Sequence, residues 1–398
     1  MPNAQCPMPN AQCPMPNAQC PMPNAQCPMP NAQKAMNHVV IIGCGIVGAA
    51  IAYELSQVKD LKITVIDKQP PAQASTGAAL GVLMGAISHK IKGNAWRMRS
   101  SSLQRYETLI PELEAIANRK ILFNRQGILK LCLQEDNLAD WQKLAEIRSS
   151  QNWKLEVWDV AKLRSMCPQV SNDNITGAIY SPQDRQLDPT ALTLALVDAS
   201  QRNGVTFKFG VTVNGSPISA NSCNELETTE GKITADWFVI AAGLGSSLLT
   251  AQLSQMIDIR PVLGQALQVS LGHPLGNSDF QPVITGDDIH IVRVGNGDYW
   301  IGATVEFPND SDEIPPDEEL LKQALTQAIA FCPELASATI NRTWSGLRPR
   351  PEKRPAPIIG KLPGFNNILL ATGHYRNGVL LAPATAYAIR EMIISNDS

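Results

Sequence analysis

A glycine-rich segment beginning at Gly43 has the residue types and the spacing of a nucleotide-binding turn. Gly43, Gly45 and Gly48 fit the pattern GxGxxG, and an acidic residue, Asp67, follows at the expected distance. The first glycine permits a tight turn, the second lets the backbone approach a pyrophosphate, and the third lets a helix pack on its strand. Amide groups at the helix start would face the phosphates, and Asp67 would bind a ribose. The segment therefore predicts a dinucleotide site.

The elements that must position this turn can be read on both sides of it. Residues 38–42 are predicted to form a buried strand, residues 46–58 a helix, and residues 61–66 a second strand. A membrane span over residues 39–55 is the competing interpretation. It contains Glu54 and is shorter than the roughly 20 apolar residues that a bilayer requires. We therefore expect no membrane span, and we expect Cys44 to be a small packing residue.

Composition excludes several classes of function. The chain has 398 residues, a net charge of −3 and no long basic run, which argues against a nucleic-acid partner. The cysteines outside the first 33 residues are scattered and form no CxxC pair, so no disulfide framework and no metal site is expected. A reducing compartment, the cytoplasm, is the expected location.

The first 33 residues are a repeat of the peptide MPNAQCP, four times complete and a fifth time broken off at Gln33. A tandem DNA repeat of ATGCCCA, read through three frames, encodes this peptide, so the period comes from DNA and not from a coiled coil. Proline at two positions of each repeat breaks helices, and the cysteines lack zinc-like spacing. Residues 1–35 are predicted to be a disordered extension, with Met36 as a candidate natural start.

The rest of the chain contains further segments of distinct character. Residues 72–83 are rich in small residues, as expected where the backbone passes close to a cofactor. An amphipathic helix is predicted over 190–203, and strands over 204–213 and 232–242. Three linked motifs follow near the C-terminus, namely WSGLRP at 344–349, NILLATG at 367–373 and HYRNGVLLAP at 374–383.

These motifs resemble those of the glycine oxidase/D-amino-acid oxidase family of FAD enzymes, and most of all those of the glycine oxidases. The resemblance runs from about residue 39 to residue 394, and GLRP together with GHYRNG is its most specific part. It implies an α/β protein with a Rossmann-like FAD-binding domain assembled from discontinuous segments, and a substrate domain built on an antiparallel sheet. The FAD-binding segments are expected at 36–88, 178–252 and 340–398, and the substrate-binding segments at 89–177 and 253–339.

Alternating patterns support the second domain. Strands are predicted at 127–133, 265–271, 289–294 and 299–305, and helices at 101–117 and 317–331.

The resemblance also assigns residues to FAD. Those expected to contact it lie on the first turn, at the ribose, on the small-residue loop, at the adenine and along the C-terminal motif: Gly43, Gly45, Ile46, Val47, Gly48, Asp67, Lys68, Ser75, Thr76, Leu80, Gly81, Val82, Val213, Gly373, His374, Tyr375, Arg376, Asn377, Gly378, Val379 and Leu380. The dipole of a helix beginning near Val379 would stabilise negative charge on the reduced flavin.

Arginine is expected to bind the substrate. Arg348 matches the residue of the family that binds the substrate carboxylate, and its guanidinium can donate two parallel hydrogen bonds to that group. Arg376 is the second candidate. His290 lies where the family usually has a tyrosine, so it is a third candidate, although a packed or solvated histidine remains the alternative. As an imidazole, it would carry a positive charge only below about pH 6.5. Other arginines and lysines near the C-terminus are interpreted as surface charges.

The activity implied by the resemblance is oxidation of glycine, sarcosine or a small D-amino acid. It needs no side-chain base: hydride passes from Cα to the flavin, dioxygen reoxidises the flavin to give hydrogen peroxide, and the imino acid hydrolyses to the keto acid and ammonia. With glycine, the product would serve thiazole formation in thiamine synthesis. Alternatives are a D-amino-acid dehydrogenase that passes electrons to a quinone, an RNA-modifying relative and a non-catalytic flavin-binding protein. A homo-oligomer is left open.

Overall fold

The computed structural model describes residues 37–215, 222–308 and 314–395, so the predicted disordered extension at 1–35 lies outside the described residues. The strands are β1 (Asn37–Ile42), β2 (Leu61–Asp67), β3 (Val82–Leu83), β4 (Phe123–Asn124), β5 (Ile128–Cys132), β6 (Glu156–Trp158), β7 (Gly177–Ser181), β8 (Arg185–Leu187), β9 (Thr206–Phe209), β10 (Val213–Gly215), β11 (Glu225–Thr228), β12 (Gly231–Thr234), β13 (Trp237–Ile240), β14 (Ile259–Ser270), β15 (Val283–Gly286), β16 (Ile289–Arg293), β17 (Asp298–Gly302), β18 (Thr339–Pro351), β19 (Ile358–Lys361) and β20 (Ile368–Thr372).

The helices are α1 (Ile46–Leu55), α2 (Gly93–Ala117), α3 (Leu138–Ser150), α4 (Val160–Met166), α5 (Pro189–Arg202), α6 (Gly245–Gln252), α7 (Glu318–Phe331) and α8 (Gly378–Ile394). Two short 3-10 helices cover Pro333–Ser337 and Tyr375–Asn377. No helix within the described ranges is long and apolar enough to cross a bilayer.

A six-stranded sheet in the order β19-β20-β13-β1-β2-β9 carries the glycine-rich turn. Its strands pair in parallel, apart from the antiparallel edge strand β19. Residues 39–42 of the inner strand β1 are apolar and buried, as expected for a parallel strand that is covered on both faces. One core joins this sheet to helices α1, α2, α5 and α8, and a second core covers its other face.

An eight-stranded sheet in the order β18-β14-β17-β16-β15-β5-β7-β6 forms the second layer of the molecule. Its pairs are antiparallel except β5 with β15, where Ile128 lies opposite Val283 in parallel register. A separate core fills the space between this sheet and the residues of α4 and α7. Two three-stranded sheets, β10-β11-β12 and β3-β8-β4, complete the described strands.

Most of the predicted elements are confirmed with small changes of boundary, and two predicted strands are wrong. The strand predicted over 204–213 is β9, which ends at Phe209, followed by β10, which begins at Val213 in a different sheet. The strand predicted over 232–242 is two strands, β12 and β13. Strand β12 pairs antiparallel with β11, whereas β13 pairs in parallel with β1 in a different sheet. The chain turns between Thr234 and Trp237, and Asp236, a polar residue within the predicted strand, lies in that turn.

Two elements cross the boundaries predicted for the domains. Strand β18 lies in the eight-stranded sheet, although residues 340–398 are predicted to belong to the FAD-binding domain. Helix α2 packs against α5 and α8, although residues 89–177 are predicted to belong to the substrate-binding domain. The described part of the chain from residue 37 onward belongs to one compact unit. The division into two domains stays a prediction.

Candidate cofactor and substrate site

The turn between β1 and α1 has a shape that only glycine allows. Gly43 has a φ of +107°, and a Cβ atom there would lie 2.5 Å from the carbonyl oxygen of Ala241. A Cβ atom on Gly48 would lie 1.9 Å from the carbonyl oxygen of Gly43. The chain therefore turns tightly out of β1 and α1 packs directly on the turn.

The backbone amides at the start of α1 can donate hydrogen bonds to a ligand in front of the turn. The Thr76 hydroxyl accepts a hydrogen bond from the Ile46 amide at 3.0 Å, and the N-cap residue, Gly45, makes no side-chain hydrogen bond to the amides that follow. The amides of Val47 and Gly48 are in the first turn and have no acceptor within the helix. A Cβ atom on Gly45 would meet only the Thr76 hydroxyl, at 3.2 Å, so that face of the turn is free of backbone. This arrangement fits a pyrophosphate.

Asp67 lies at the end of β2, beside the turn. Its Oδ2 accepts a hydrogen bond from the Cys44 amide at 2.6 Å, and its Oδ1 accepts one from the Gln69 amide at 2.9 Å. Each carboxylate oxygen keeps a lone pair for a ribose hydroxyl. The Val211 amide donates to the carbonyl of Asp67 at 3.1 Å, which places the segment leading to Val213 next to this position. Lys68, the neighbouring candidate, is exposed.

The small-residue loop after β2 is fastened to β18. The Ser75 hydroxyl donates to the carbonyl of Leu347 at 2.6 Å, and the Trp344 indole donates to the carbonyl of Ala78 at 3.1 Å. A Cβ atom on Gly346 would lie 2.2 Å from the Cβ of Ala78, so the loop and the strand touch there. The WSGLRP motif therefore joins the sheet that holds the glycine-rich turn to the sheet that carries Arg348.

The following residues, Leu80, Gly81 and Val82, pair with β8. Gly81 has a φ of +72°, and its carbonyl accepts a hydrogen bond from the Leu187 amide at 3.1 Å. Val82 lies opposite Gln186 in antiparallel register. Leu80 is buried and Val82 is half-buried. This backbone is held in place along the side where the flavin is expected.

Two buried charged residues, Asp184 and Arg148, hold the loop after β3 in place. The sequence did not predict this role for either of them. Asp184 is fully buried and accepts hydrogen bonds from the amides of Gly85, Ala86 and Ile87 at 2.7–2.9 Å and from the Ser181 hydroxyl at 2.8 Å. Burial raises the pKa of Asp184, and these donors oppose that rise.

Arg148 is the second of these residues and is also fully buried. Its guanidinium donates to the carbonyls of Ala86 and Ser88 at 2.7 Å and of Lys90 at 3.0 Å, and it lies 3.7 Å from the centre of the Trp96 ring. Burial lowers the pKa of Arg148 to about 10. The two residues thus bind successive amides and carbonyls of a single loop, and only the folded chain brings them together.

The C-terminal motif leaves β20 through two residues of left-handed backbone. Gly373 has a φ of +65° and Tyr375 a φ of +53°. His374 is buried, its Nε2 lies 3.0 Å from the Thr385 hydroxyl, and burial lowers its pKa to about 4. Asn377 precedes α8 without capping it by its side chain, and Gly378 begins the helix. The first amides of α8 are therefore open to an acceptor.

The first turns of α8 are anchored by α2. Pro383 has no N–H, so the carbonyl of Val379 lacks its helical donor. The Tyr106 hydroxyl donates to that carbonyl instead, and the Ser102 hydroxyl accepts from the Ala384 amide at 3.2 Å. The segment Gly378–Leu380 is thereby held by side chains that the sequence motif does not contain.

Arg348 lies on β18 above Gly264 of β14. A Cβ atom on Gly264 would lie 2.2–2.4 Å from the guanidinium, so the glycine makes room for the arginine. The guanidinium donates to the carbonyl of Leu263 at 2.9 Å, and no acidic side chain in the described residues forms an ion pair with it. Burial and the nearby Arg376 lower the pKa of Arg348. A half-buried cation without an anionic partner suits an anionic ligand.

Arg376 and His290 lie close to Arg348. Arg376 forms an ion pair with Asp288 at 3.3 Å, at the turn that precedes β16. His290 lies on β16 between Thr285 and Gly302, and its buried Nδ1 has no hydrogen-bond partner. The structure thus brings the three predicted substrate residues together from three separate elements.

The expectation that His290 carries a charge below about pH 6.5 is wrong for the protein as folded. Burial and the positive charges of Arg376 and Arg348 lower the pKa of His290 to about 4, and Asp288 opposes them only in part. The imidazole is therefore neutral at ordinary pH. It acts as a hydrogen-bonding group and not as a cation.

Comparison with known proteins identifies the family. The model of a family of FAD-dependent oxidoreductases matches residues 38–392, so the chain belongs to that family. The chain is 30% identical to glycine oxidase of Bacillus licheniformis over 358 residues, which cover 90% of this chain and 93% of that one. It is 31% identical to the bifunctional protein ThiO/ThiG of Synechocystis over 367 residues, which cover 91% of this chain and 52% of that protein. Its fold is similar to that of glycine oxidase from Bacillus cereus, with a TM-score of 0.81 and 24% identity, over 91% and 96% of the two chains.

The protein is accordingly an FAD-dependent oxidoreductase of the glycine oxidase type, and FAD is its cofactor. The residues present fit that cofactor, because the glycine turn, the open amides of α1 and the carboxylate of Asp67 supply a cradle, donors and acceptors for its AMP half. No cluster of metal-ligating side chains occurs within the described ranges.

Proposed function

We propose that this protein is an amino-acid oxidase that acts on glycine, sarcosine or small D-amino acids. The products are the imino or keto acid, ammonia and hydrogen peroxide. The observation that carries the proposal is the environment of Arg348, a half-buried cation without an acidic partner, with Arg376 and a neutral His290 beside it. A small substrate with one carboxylate would complete this group of charges.

The proposed roles of the residues follow from their contacts. Arg348 donates to the substrate carboxylate with the N–H groups that Leu263 does not occupy. Arg376 adds positive charge at the outer side, and the unpartnered Nδ1 of His290 makes a further hydrogen bond to ligand. These groups would orient the substrate, and no general base would be needed at Cα, because the Cα hydrogen would leave with its electron pair as hydride.

The proposed cofactor residues are those of the first turn, the ribose position, the small-residue loop, Val213 and the segment 373–380. When bound, FAD supplies the hydride acceptor and the route of electrons to dioxygen. The chain's own part is to hold the turn, the loop at 85–90 and the start of α8 rigid, through Asp184, Arg148 and Tyr106. Such rigidity preorganises the site before substrate arrives.

A role in thiamine synthesis is part of the proposal, because a similar protein carries the name ThiO/ThiG. A dehydrogenase that reduces a quinone is the second candidate, and oxygen reactivity decides between them. We also propose amino acid and dioxygen as partners, a cytoplasmic location, and the division into FAD-binding and substrate-binding domains.

A panel of amino acids tests the proposal. The purified holoprotein is supplied with each amino acid, and peroxide release is followed in a coupled assay beside reduction of an artificial dye. Peroxide release with small amino acids supports the oxidase. Dye reduction without peroxide supports the dehydrogenase, and neither signal would leave only a flavin-binding role.

A further inference from the structure

The ion pair between Arg376 and Asp288 is a feature that binding of a simple amino acid does not require. Arg376 comes from the 3-10 helix Tyr375–Asn377, and Asp288 from the turn between β15 and β16. Their charged atoms lie 3.3 Å apart. The negative charge of Asp288 also raises the pKa of both His290 and Arg348, against the larger effect of their burial.

The charged side chains around Arg348 leave one positive charge unmatched, and one anionic group of a ligand would neutralise it. Arg348 has no acidic partner, whereas Arg376 has Asp288. The other acid near Arg348 is Glu306, which accepts hydrogen bonds from Gln265 at 3.0 Å, from the Asp317 amide at 2.9 Å and from the Thr304 hydroxyl. Its oxygens are directed to those donors and hydrogen-bond neither arginine. Arg348 therefore has no acidic partner among the described residues, whereas Arg376 is already paired with Asp288.

We propose that Asp288 is a specificity-determining residue that makes the site select monocarboxylic amino acids over dicarboxylic ones, an inference that rests on the proposed function. A substrate with one carboxylate binds Arg348 and leaves the Arg376–Asp288 pair intact. A second carboxylate on the substrate meets Asp288, which repels it and competes with it for Arg376. Specificity then comes from a built-in repulsive group as well as from the attractive one.

The ion pair is exposed, with 38% of the Arg376 side chain and 70% of the Asp288 side chain accessible. Exposed pairs contribute little to stability, so this pair does not hold the fold together. Its charge nevertheless remains at the rim of the site. A change at Asp288 should thus alter ligand choice more than stability.

The turn itself provides a matched pair of variants. Asp287 has a φ of +46° and Asp288 a φ of +64°, a left-handed backbone that asparagine adopts readily. Asp288→Asn removes the charge that faces Arg376 and keeps the turn. Asp287→Asn removes an equal charge one residue away, from a carboxylate that pairs with no arginine in the described structure.

The experiment measures binding of acetate and of malonate to the FAD-loaded protein by calorimetry. In Asp288→Asn, the ratio of the malonate Kd to the acetate Kd should fall about tenfold, which corresponds to about 1.4 kcal/mol. In Asp287→Asn, the ratio should stay within about twofold of the wild type. An unchanged ratio in Asp288→Asn, an equal shift in both variants, or no binding of malonate to Asp288→Asn would overturn the inference.

A kinetic measurement separates this inference from the proposed function. The ratio of kcat/KM for D-aspartate to that for D-alanine should rise about tenfold in Asp288→Asn and not in Asp287→Asn. If no protein oxidises any amino acid but the malonate preference shifts, the proposed function fails and the role of Asp288 stands. If amino acids are oxidised and neither ratio shifts, the inference alone fails.

Discussion

Replacement of Arg348 by alanine should abolish most of the catalytic efficiency toward amino acids. One guanidinium N–H is bonded to Leu263 at 2.9 Å, and the remaining donors have no acidic partner. Truncating one member of a buried charge pair costs about 2–5 kcal/mol. Because Arg348 is half-buried and not fully enclosed, we take the middle of that range, which predicts a loss in kcat/KM of about 10²–10³.

The assay compares an amino acid with an amine of similar size that lacks a carboxylate. The loss should be confined to the amino acid, and the FAD content should persist. Arg342→Ala is the matched control, because Arg342 lies on the same strand but is exposed and bonds Gln268 at 3.0 Å. Equal losses for both substrate types, or an equal loss in Arg342→Ala, would mean that Arg348 has a structural role.

Three further predictions concern other parts of the chain. Deletion of residues 1–35 should leave FAD content, melting temperature and activity nearly unchanged, because the repeat lacks apolar surface to pack; loss of flavin on truncation would refute this. His290→Tyr should make the melting temperature fall less steeply between about pH 6.5 and 4 than in the wild type. Burial, Arg376 and Arg348 lower the pKa of His290 to about 4, and Asp288 opposes this shift only in part. As the pH falls, the histidine of the unfolded chain is therefore protonated before that of the folded protein, and stability is lost through this window. Parallel melting curves for the two proteins would place His290 in a solvated position. Tyr106→Phe should lower the free energy of unfolding by about 1–3 kcal/mol in denaturant titration, because the buried carbonyl of Val379 loses its donor; a change near zero would show that another group replaces the hydroxyl.

The dinucleotide turn could be predicted from sequence because its determinants are local. Gly43, Gly45 and Gly48 encode backbone conformation and close packing within a single turn, and Asp67 follows on the adjacent strand. Several strands of the eight-stranded sheet could also be predicted, because each is a short apolar run, although the sequence does not show that two different cores cover the two faces of this sheet. Elements of this kind can be predicted from the residues that form them.

Strand β18 shows where local rules mislead. Pro349 and Pro351 argue against a strand, yet β18 continues through both residues. The strand lies at the edge of its sheet and pairs only with β14, so the missing amide donors can face away from the ladder. Edge position is a property of the tertiary fold and cannot be read from the motif.

The residues that sequence reasoning missed act across long separations. Arg148 binds the carbonyls of residues about 60 positions earlier, and Asp288 meets an arginine 88 positions later. Charged residues of this type look like ordinary surface residues in a sequence, because a polar helix face and an acidic turn are common. The tandem aspartates before β16 were the one visible signal, and their left-handed backbone marks a tight turn.

The most direct test of the central claim is reduction of the bound flavin under anaerobic conditions. Glycine, sarcosine and D-alanine are each mixed with the oxygen-free holoprotein, and the visible flavin band is followed before and after oxygen is admitted. We expect at least one of them to bleach the band in the wild type, and we expect bleaching to be slowed about 10²–10³-fold in Arg348→Ala. Oxygen should then restore the colour with release of hydrogen peroxide. A flavin that none of these amino acids reduces, or that is reduced equally fast without Arg348, would contradict it.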